Sequence, residues 1–280
     1  MKKIFRTATL LLCLSLSAPL LYGCAAEEET GTVITTSPLP DSKLISSEES
    51  GDLIYSLYED YAEVSAYRGD DPSPVIPSEY ASLPVMSIGE RSFAGNTSLQ
   101  SISLPSSVAM IGTRAFEGCT ALTSVEMPGV TTVGSYAFSG SALTEVPFSP
   151  VLSVIGRYAF SGSAVTELSL PKTLQRVGDY AFENCTSLSS LTVEEGFDEI
   201  PSRAFSGCTA LSAVSVPDSV KKIGEYAFAY CTSITRAEIG GKTSLGEGAF
   251  YNCGELTISA PSGSEAEKYA KRYGLTFEAK

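Results

Sequence analysis

Seven cysteines and not one histidine frame the chemistry open to this chain. Five of the cysteines, Cys119, Cys185, Cys208, Cys231 and Cys253, share one setting, with phenylalanine three residues before and leucine or isoleucine three residues after. Thiols act as nucleophiles, pair as disulfides or hold zinc. A nucleophile needs a base, and histidine, the commonest one, is missing. Zinc sites bring ligands in close pairs, whereas these thiols lie a full repeat or more apart. An odd set also cannot pair off, and side chains in one ladder point the same way. The expectation is a ladder of small buried groups accepting weak turn hydrogen bonds, with Asn96, Ser141 and Ser163 in the same slot elsewhere. The stretch Gly240-Gly241-Lys242-Thr243-Ser244 lacks the first glycine of a phosphate loop. Glu194-Glu195 shows no sign of a shared cleft. The chain is therefore expected not to be an enzyme and to need no cofactor or metal.

Cys24 stands apart. Lys2, Lys3 and Arg6 precede an apolar run over residues 10–21, broken only by Ser15, Ser17 and Pro19. The run is too short to span a membrane, so residues 1–23 read as a secretory signal. It closes on Leu21-Tyr22-Gly23-Cys24, which resembles the lipobox of bacterial lipoproteins. That resemblance implies export, acylation of Cys24 and a lipid anchor in a bacterial membrane, with the body exposed on the cell surface. Cleavage would remove three of the 19 basic residues and none of the 32 acidic ones, moving the net charge from −13 to −16. So acidic a body argues against nucleic acid and against anionic headgroups.

The elements that position everything else repeat. Aligned on Phe93, Phe116, Phe138, Phe160, Phe182, Phe205, Phe228 and Phe250, the units recur every 22 or 23 residues. Glycine stands four residues before each phenylalanine, with Pro201 as the one substitute, and alanine just before all but the first, which has Ser92. A strand-like alternation follows, as in Leu122-x-x-Val125-x-Met127-Pro128. In Ile223-Gly224-Glu225-Tyr226-Ala227-Phe228 the apolar residues would share one face of a single helical turn. One copy cannot bury both of its faces, but stacked copies can. At about 4.8 Å per strand, eight coils make a rod of roughly 40 Å.

These units resemble the BspA-type leucine-rich repeats of bacterial surface proteins, over residues 88–258. The lead-in Leu83-Pro84-Val85-x-x-Ile88-Gly89 resembles that family's entry sequence. The resemblance implies an α/β repeat fold, a right-handed leucine-rich-repeat solenoid of about eight coils with a parallel β-sheet. It also implies no catalysis, and adhesion or protein binding outside the cell. Around the repeats the expected plan is a disordered acidic tether (residues 24–51), an N-terminal β-hairpin cap (52–87) and a C-terminal helical cap (259–280). The tether reading rests on acidic, Ser/Thr- and Pro-containing sequence without periodicity. The hairpin reading rests on Leu53, Tyr55 and Leu57 alternating against Ala62, Val64 and Ala66. Ser264 reads as an N-cap and Gly274 as the stop of the last helix, before a final strand at 275–277.

Two surfaces remain for function. Tyr136, Tyr158, Tyr180 and Tyr226, with Arg114 and Arg203, stand two residues before phenylalanine and would form a stripe, either a contact surface or coil-to-coil stacking. The solvent side of the strands would carry Ser101, Ser103, Ser124, Glu126, Glu145, Glu167, Ser169, Ser190, Thr192, Ser215, Arg236 and Glu238, a small, polar, mildly acidic face. The reading is a monomeric, non-catalytic surface protein that binds another protein, of a host or a neighbouring cell. A carbohydrate binder using the tyrosine stripe and a structural envelope spacer without ligand are the alternatives. For the anchor, labelled palmitate should enter the wild-type protein and not Cys24→Ser; equal labelling of both overturns the lipobox reading.

Overall fold

The computed structural model describes residues 38–146 and 148–280. The signal, Cys24 and the first part of the tether lie outside the described residues. Strands β1 (Leu44–Ser50), β2 (Leu53–Tyr58) and β3 (Ala62–Tyr67) pair antiparallel in that order. The β2–β3 hairpin follows the alternation of the sequence, with Tyr55, Ala62 and Val64 buried. Strand β1 falls within the expected tether of residues 24–51, whose last part is therefore a strand. Neither of its faces is buried, so it carries no apolar period; backbone pairing with β2 holds it instead. The turn between them places Gly51 at φ 60, a conformation glycine adopts without strain. Strand β4 (Glu79–Tyr80) pairs with β5 (Leu83–Ile88), and β3 runs parallel to β5, joining cap to repeats.

From β5 onward each coil adds to three columns. The first is a parallel ladder of two-residue strands, from β5 through Met110–Ile111, Thr132–Val133 and Val154–Ile155 to Arg176–Val177. At each step the glycine N–H donates to the carbonyl one coil back, as Gly156 does to Val133 at 2.8 Å. A β-carbon on Gly156 would lie 2.6 Å from the backbone of Gly134 and Ser135, so no other residue fits without parting the coils. Pro201 has no N–H to give, and the ladder breaks there, restarting as Glu199–Ile200, Lys222–Ile223 and Ser244–Leu245.

The second column carries the longer strands. Ser101–Ser103 pairs with Ser124–Glu126, and a six-stranded sheet then runs from Glu167–Leu170 through Ser190–Val193, Ala213–Val216, Arg236–Ile239 and Thr257–Ala260 to Thr276–Ala279. In the coil between them no strand forms among the described residues. In the sequence, position 147 aligns with Glu126 and Ser169 of the neighbouring coils and holds proline, a residue without an N–H. The Phe148 N–H bonds instead to its own chain at Val146 O, 2.8 Å.

The third column holds the repeat phenylalanine, and here no helical turn forms. Overlapping i→i+3 turns run two residues apart: Ala115 N–H to Gly112 O, Glu117 N–H to Arg114 O, Cys119 N–H to Phe116 O. The intervening N–H groups of Arg114, Phe116 and Gly118 donate to Ser135, Ala137 and Ser139 of the next coil, each at 2.8 Å. A helix would spend every N–H within its own chain; this column spends every second one on its neighbour. The alternation needs left-handed residues, and those two before and two after phenylalanine supply them, as at Arg114 (φ 60) and Gly118 (φ 69). The phenylalanines stack at centroid separations from 5.0 Å (Phe93–Phe116) to 5.6 Å (Phe182–Phe205), with Tyr67 below Phe93 at 5.0 Å.

The last coil meets helix α1 (Glu265–Tyr273), capped by Ser264 and by Gly274 at φ 67, with Thr276–Ala279 pairing behind it. Tyr269 and Tyr273, one helical turn apart, replace the missing ninth coil. Their hydroxyls accept from Phe250 N–H at 3.0 Å and Gly248 N–H at 3.3 Å, the donors that bond to a following coil elsewhere. Tyr269→Phe leaves a buried N–H without an acceptor. It should lower stability by about 1–3 kcal/mol, several degrees in Tm. Tyr273→Phe, with a longer bond and a 37% exposed ring, should cost less. Equal losses by thermal denaturation would contradict the capping role.

Candidate functional site

The cysteine slot forms a buried ladder whose thiols also donate. Each thiol reaches back to the phenylalanine carbonyl of the preceding coil: Cys119 to Phe93 O at 3.1 Å, Cys185 to Phe160 at 3.2 Å, Cys208 to Phe182 at 3.4 Å, Cys231 to Phe205 at 3.2 Å and Cys253 to Phe228 at 3.0 Å. All five are free and buried. Burial pushes Cys119 and Cys185 up to about 11, Cys231 and Cys253 up to about 12, and Cys208 well above the ordinary value. Thiols this hard to ionise are poor nucleophiles. Among the described residues no group of three or more cysteines or carboxylates is placed to hold a metal.

The tyrosine and arginine residues do meet as a stripe, but a self-filled one. Tyr136 stacks on Tyr158 at 4.6 Å and Tyr158 on Tyr180 at 4.4 Å. Arg114 lies 4.5 Å over Tyr136, while Arg203 lies between Tyr180 (5.6 Å) and Tyr226 (4.8 Å). Arg157, one position outside the expected register, adds itself over Tyr158 (5.2 Å) and Tyr180 (4.9 Å). Its place in the sequence gave no hint of this, since only the fold swings its side chain onto the stripe. The tyrosines have left-handed φ between 53° and 61°, costly for a side chain bearing Cβ. Stacking offsets that cost. Because the ring faces cover one another, a sugar would find mainly edges, which weighs against the stripe as a stacking platform.

The strand face is open. Ser124, Glu126, Glu145, Glu167, Ser190, Thr192 and Arg236 are exposed and Glu238 half-buried. Glu145 lies in the coil that lacks a strand, so the face is interrupted there rather than continuous. The interruption leaves a shallow hollow of about 420 Å³ lined by Thr144, Glu145, Val146, Phe148, Glu167, Ser169, Ser190 and Thr192. Phe148, in the slot that Met127 fills one coil earlier, supplies an aromatic and is only half-buried. A second hollow of about 340 Å³ continues along the same face between Ser190, Ser215, Arg236 and Glu238. At the C-terminal end the charges neutralise one another. Arg236 bridges Glu238 (3.2 Å) and Glu278 (2.9 Å), and Lys280 bridges Glu238 (3.1 Å). Lys280, ahead of Arg236, holds the Glu238 carboxyl below its usual range. Further along, Ser103 Oγ donates to Glu126 at 2.8 Å.

The profile of the BspA type leucine rich repeat region matches residues 86–162 and 153–270, in six copies. A leucine-rich repeat protein from Bacteroides ovatus is 26% identical, with a TM-score of 0.64, covering 84% of this chain and 66% of its own. The T. pallidum leucine rich repeat protein is also 26% identical, with a TM-score of 0.59, covering 84% and 100%. One from Eubacterium ventriosum, at 19% identity and a TM-score of 0.54 over 82% and 71%, shares the fold. No curated protein matches. Among the described residues no helix is long and apolar enough to cross a membrane.

The thiol ladder predicts an alkaline weakness. The buried thiols stay protonated where unfolded ones ionise, so their contribution is fully present below pH 9.0 and is lost as pH climbs toward 11–12. The urea midpoint should hold from pH 7.5 to 8.5 and fall above 9, less steeply in Cys231→Ser/Cys253→Ser. The same slope in wild type and variant would contradict it.

Proposed function

This chain belongs to the BspA-type leucine-rich repeat family, and from that premise we propose that it is a non-catalytic, surface-exposed protein that binds another protein on its strand face. Leucine-rich-repeat solenoids are generally binding scaffolds, and their repeats commonly mediate contacts between proteins. Lipid anchoring through Cys24, display on the cell surface and adhesion to a host or neighbouring cell, as a monomer, belong to the same proposal.

The observation that carries it is the contrast between two long surfaces. The stripe is consumed by its own stacking, whereas the strand face leaves two adjoining hollows edged with hydroxyls and carboxylates. Phe148 and Val146 give the first hollow an apolar floor within a polar rim, the anatomy of a modest protein contact. The thiols, buried and hard to ionise, leave little for covalent chemistry.

A photo-crosslinking residue at Ser190, in intact cells, should join the protein to a discrete partner protein. The same residue at exposed Asp179, in the turn column, should not. Adducts equal from both positions, or none from Ser190, would overturn the strand-face reading.

A further inference from the structure

The slot two residues after the repeat phenylalanine is built for glycine. Its occupants are Gly95, Gly118, Gly140, Gly162, Asn184, Gly207, Tyr230 and Asn252, all with φ between 57° and 76°. Asparagine tolerates the left-handed region; a tyrosine there is an outlier that the fold does not require. The backbone role is the same whichever residue is present. The N–H donates to the next coil, from Gly207 to Ala229 O at 2.8 Å and from Tyr230 to Tyr251 O at 2.7 Å. Unlike the tyrosines of the stripe, Tyr230 is not covered by stacking. It is 46% exposed and meets Tyr251, itself 52% exposed, edge to face at 5.6 Å and 80°. Tyr226 stands edge-on to Tyr251 on the other side, at 6.3 Å and 75°.

We propose that Tyr230 and Tyr251 form an aromatic corner that binds a neutral saccharide, separately from the strand face. Strain held for an exposed ring, with no backbone need for it, points to a ligand. Two rings at right angles offer one face to stack on and a second wall beside it. Neither hydroxyl has a hydrogen-bond partner among the described residues, so both are free to donate and accept. The ligand's charge follows from the surroundings. Residues 206–209, 229–232 and 251–254, the turn segments flanking the corner, hold no charged side chain in a chain of net charge −13, the nearest in sequence being exposed Glu255 just beyond them. The same segment carries Glu117 and Glu183 in earlier coils. Exposed Thr209, Thr232 and Asn252 add neutral hydroxyl and amide groups. Ring faces with neutral hydrogen-bonding groups around them match a pyranose, whose C–H face is apolar and whose rim is hydroxyl.

The test is Tyr230→Gly, which restores the residue this slot favours, so function and folding can be told apart. Wild-type full-length protein should bind members of an array of neutral oligosaccharides, and bind sialylated or sulfated counterparts less. Tyr230→Gly and Tyr251→Ala should each bind at least about tenfold more weakly, the effect of losing one aromatic anchor. The Tm of Tyr230→Gly should hold or rise, and crosslinking from Ser190 should persist. No binding across the neutral array, unchanged binding by the variants, a fall in Tm on Tyr230→Gly, or loss of a protein contact instead of a glycan would each overturn the proposal.

Discussion

The hydrogen bond from each phenylalanine N–H to the alanine carbonyl of the next coil, 2.7–2.9 Å from Phe93 to Phe228, is the constraint on which the molecule depends. It fixes how closely coils approach on the side where no extended strand exists. That spacing in turn sets the rest: phenylalanine rings stack at 5.0–5.6 Å, thiols reach the carbonyl of the preceding coil, and glycine is needed where backbones touch. Where the Gly156 type of position holds Pro201, the strand ladder breaks while this bond persists, from Phe182 N–H to Ala204 O at 2.9 Å.

Such a stack has a problem at each end, because every coil leaves donors for a neighbour. At the start, β3 pairs with β5, Tyr67 lies under the first phenylalanine, and the Tyr67 N–H donates to Ser92 O at 2.8 Å. At the finish, two tyrosine hydroxyls on one helix face accept what a further coil would have accepted. Both caps satisfy buried backbone groups with chemistry unlike that of the repeat. An interior break has the same logic reversed: Pro201 removes a donor, and the first ladder stops there.

Function is left to the positions that stacking does not consume. On the strand face the interruption at the third coil turns a plain sheet into one with a hollow and a half-exposed Phe148. In the turn column the stripe is taken up by its own rings and guanidinium groups, while Tyr230 is not. The difference lies in the slot. Two residues before phenylalanine, successive side chains meet and share their strain with a stacking partner; two residues after it, the Gly207 neighbour offers none.

The sequence by itself determined the period, the phenylalanine, glycine and cysteine columns, the inward strand residues and the last helix with its caps. Each is written as a regular spacing or a local signal, and the backbone answers such signals locally. It could not reveal β1, because a strand exposed on both faces has no apolar period. It suggested a helical turn where tandem turns form, because the apolar spacing suits both, and only the bonds to the next coil favour the second. The tertiary structure alone decided that Arg157 joins the stripe, that Phe148 borders a hollow, and that Tyr230 stands strained beside Tyr251. Those positions depend on residues 20 or more places away in the chain, brought alongside by stacking, and no spacing within one repeat encodes them.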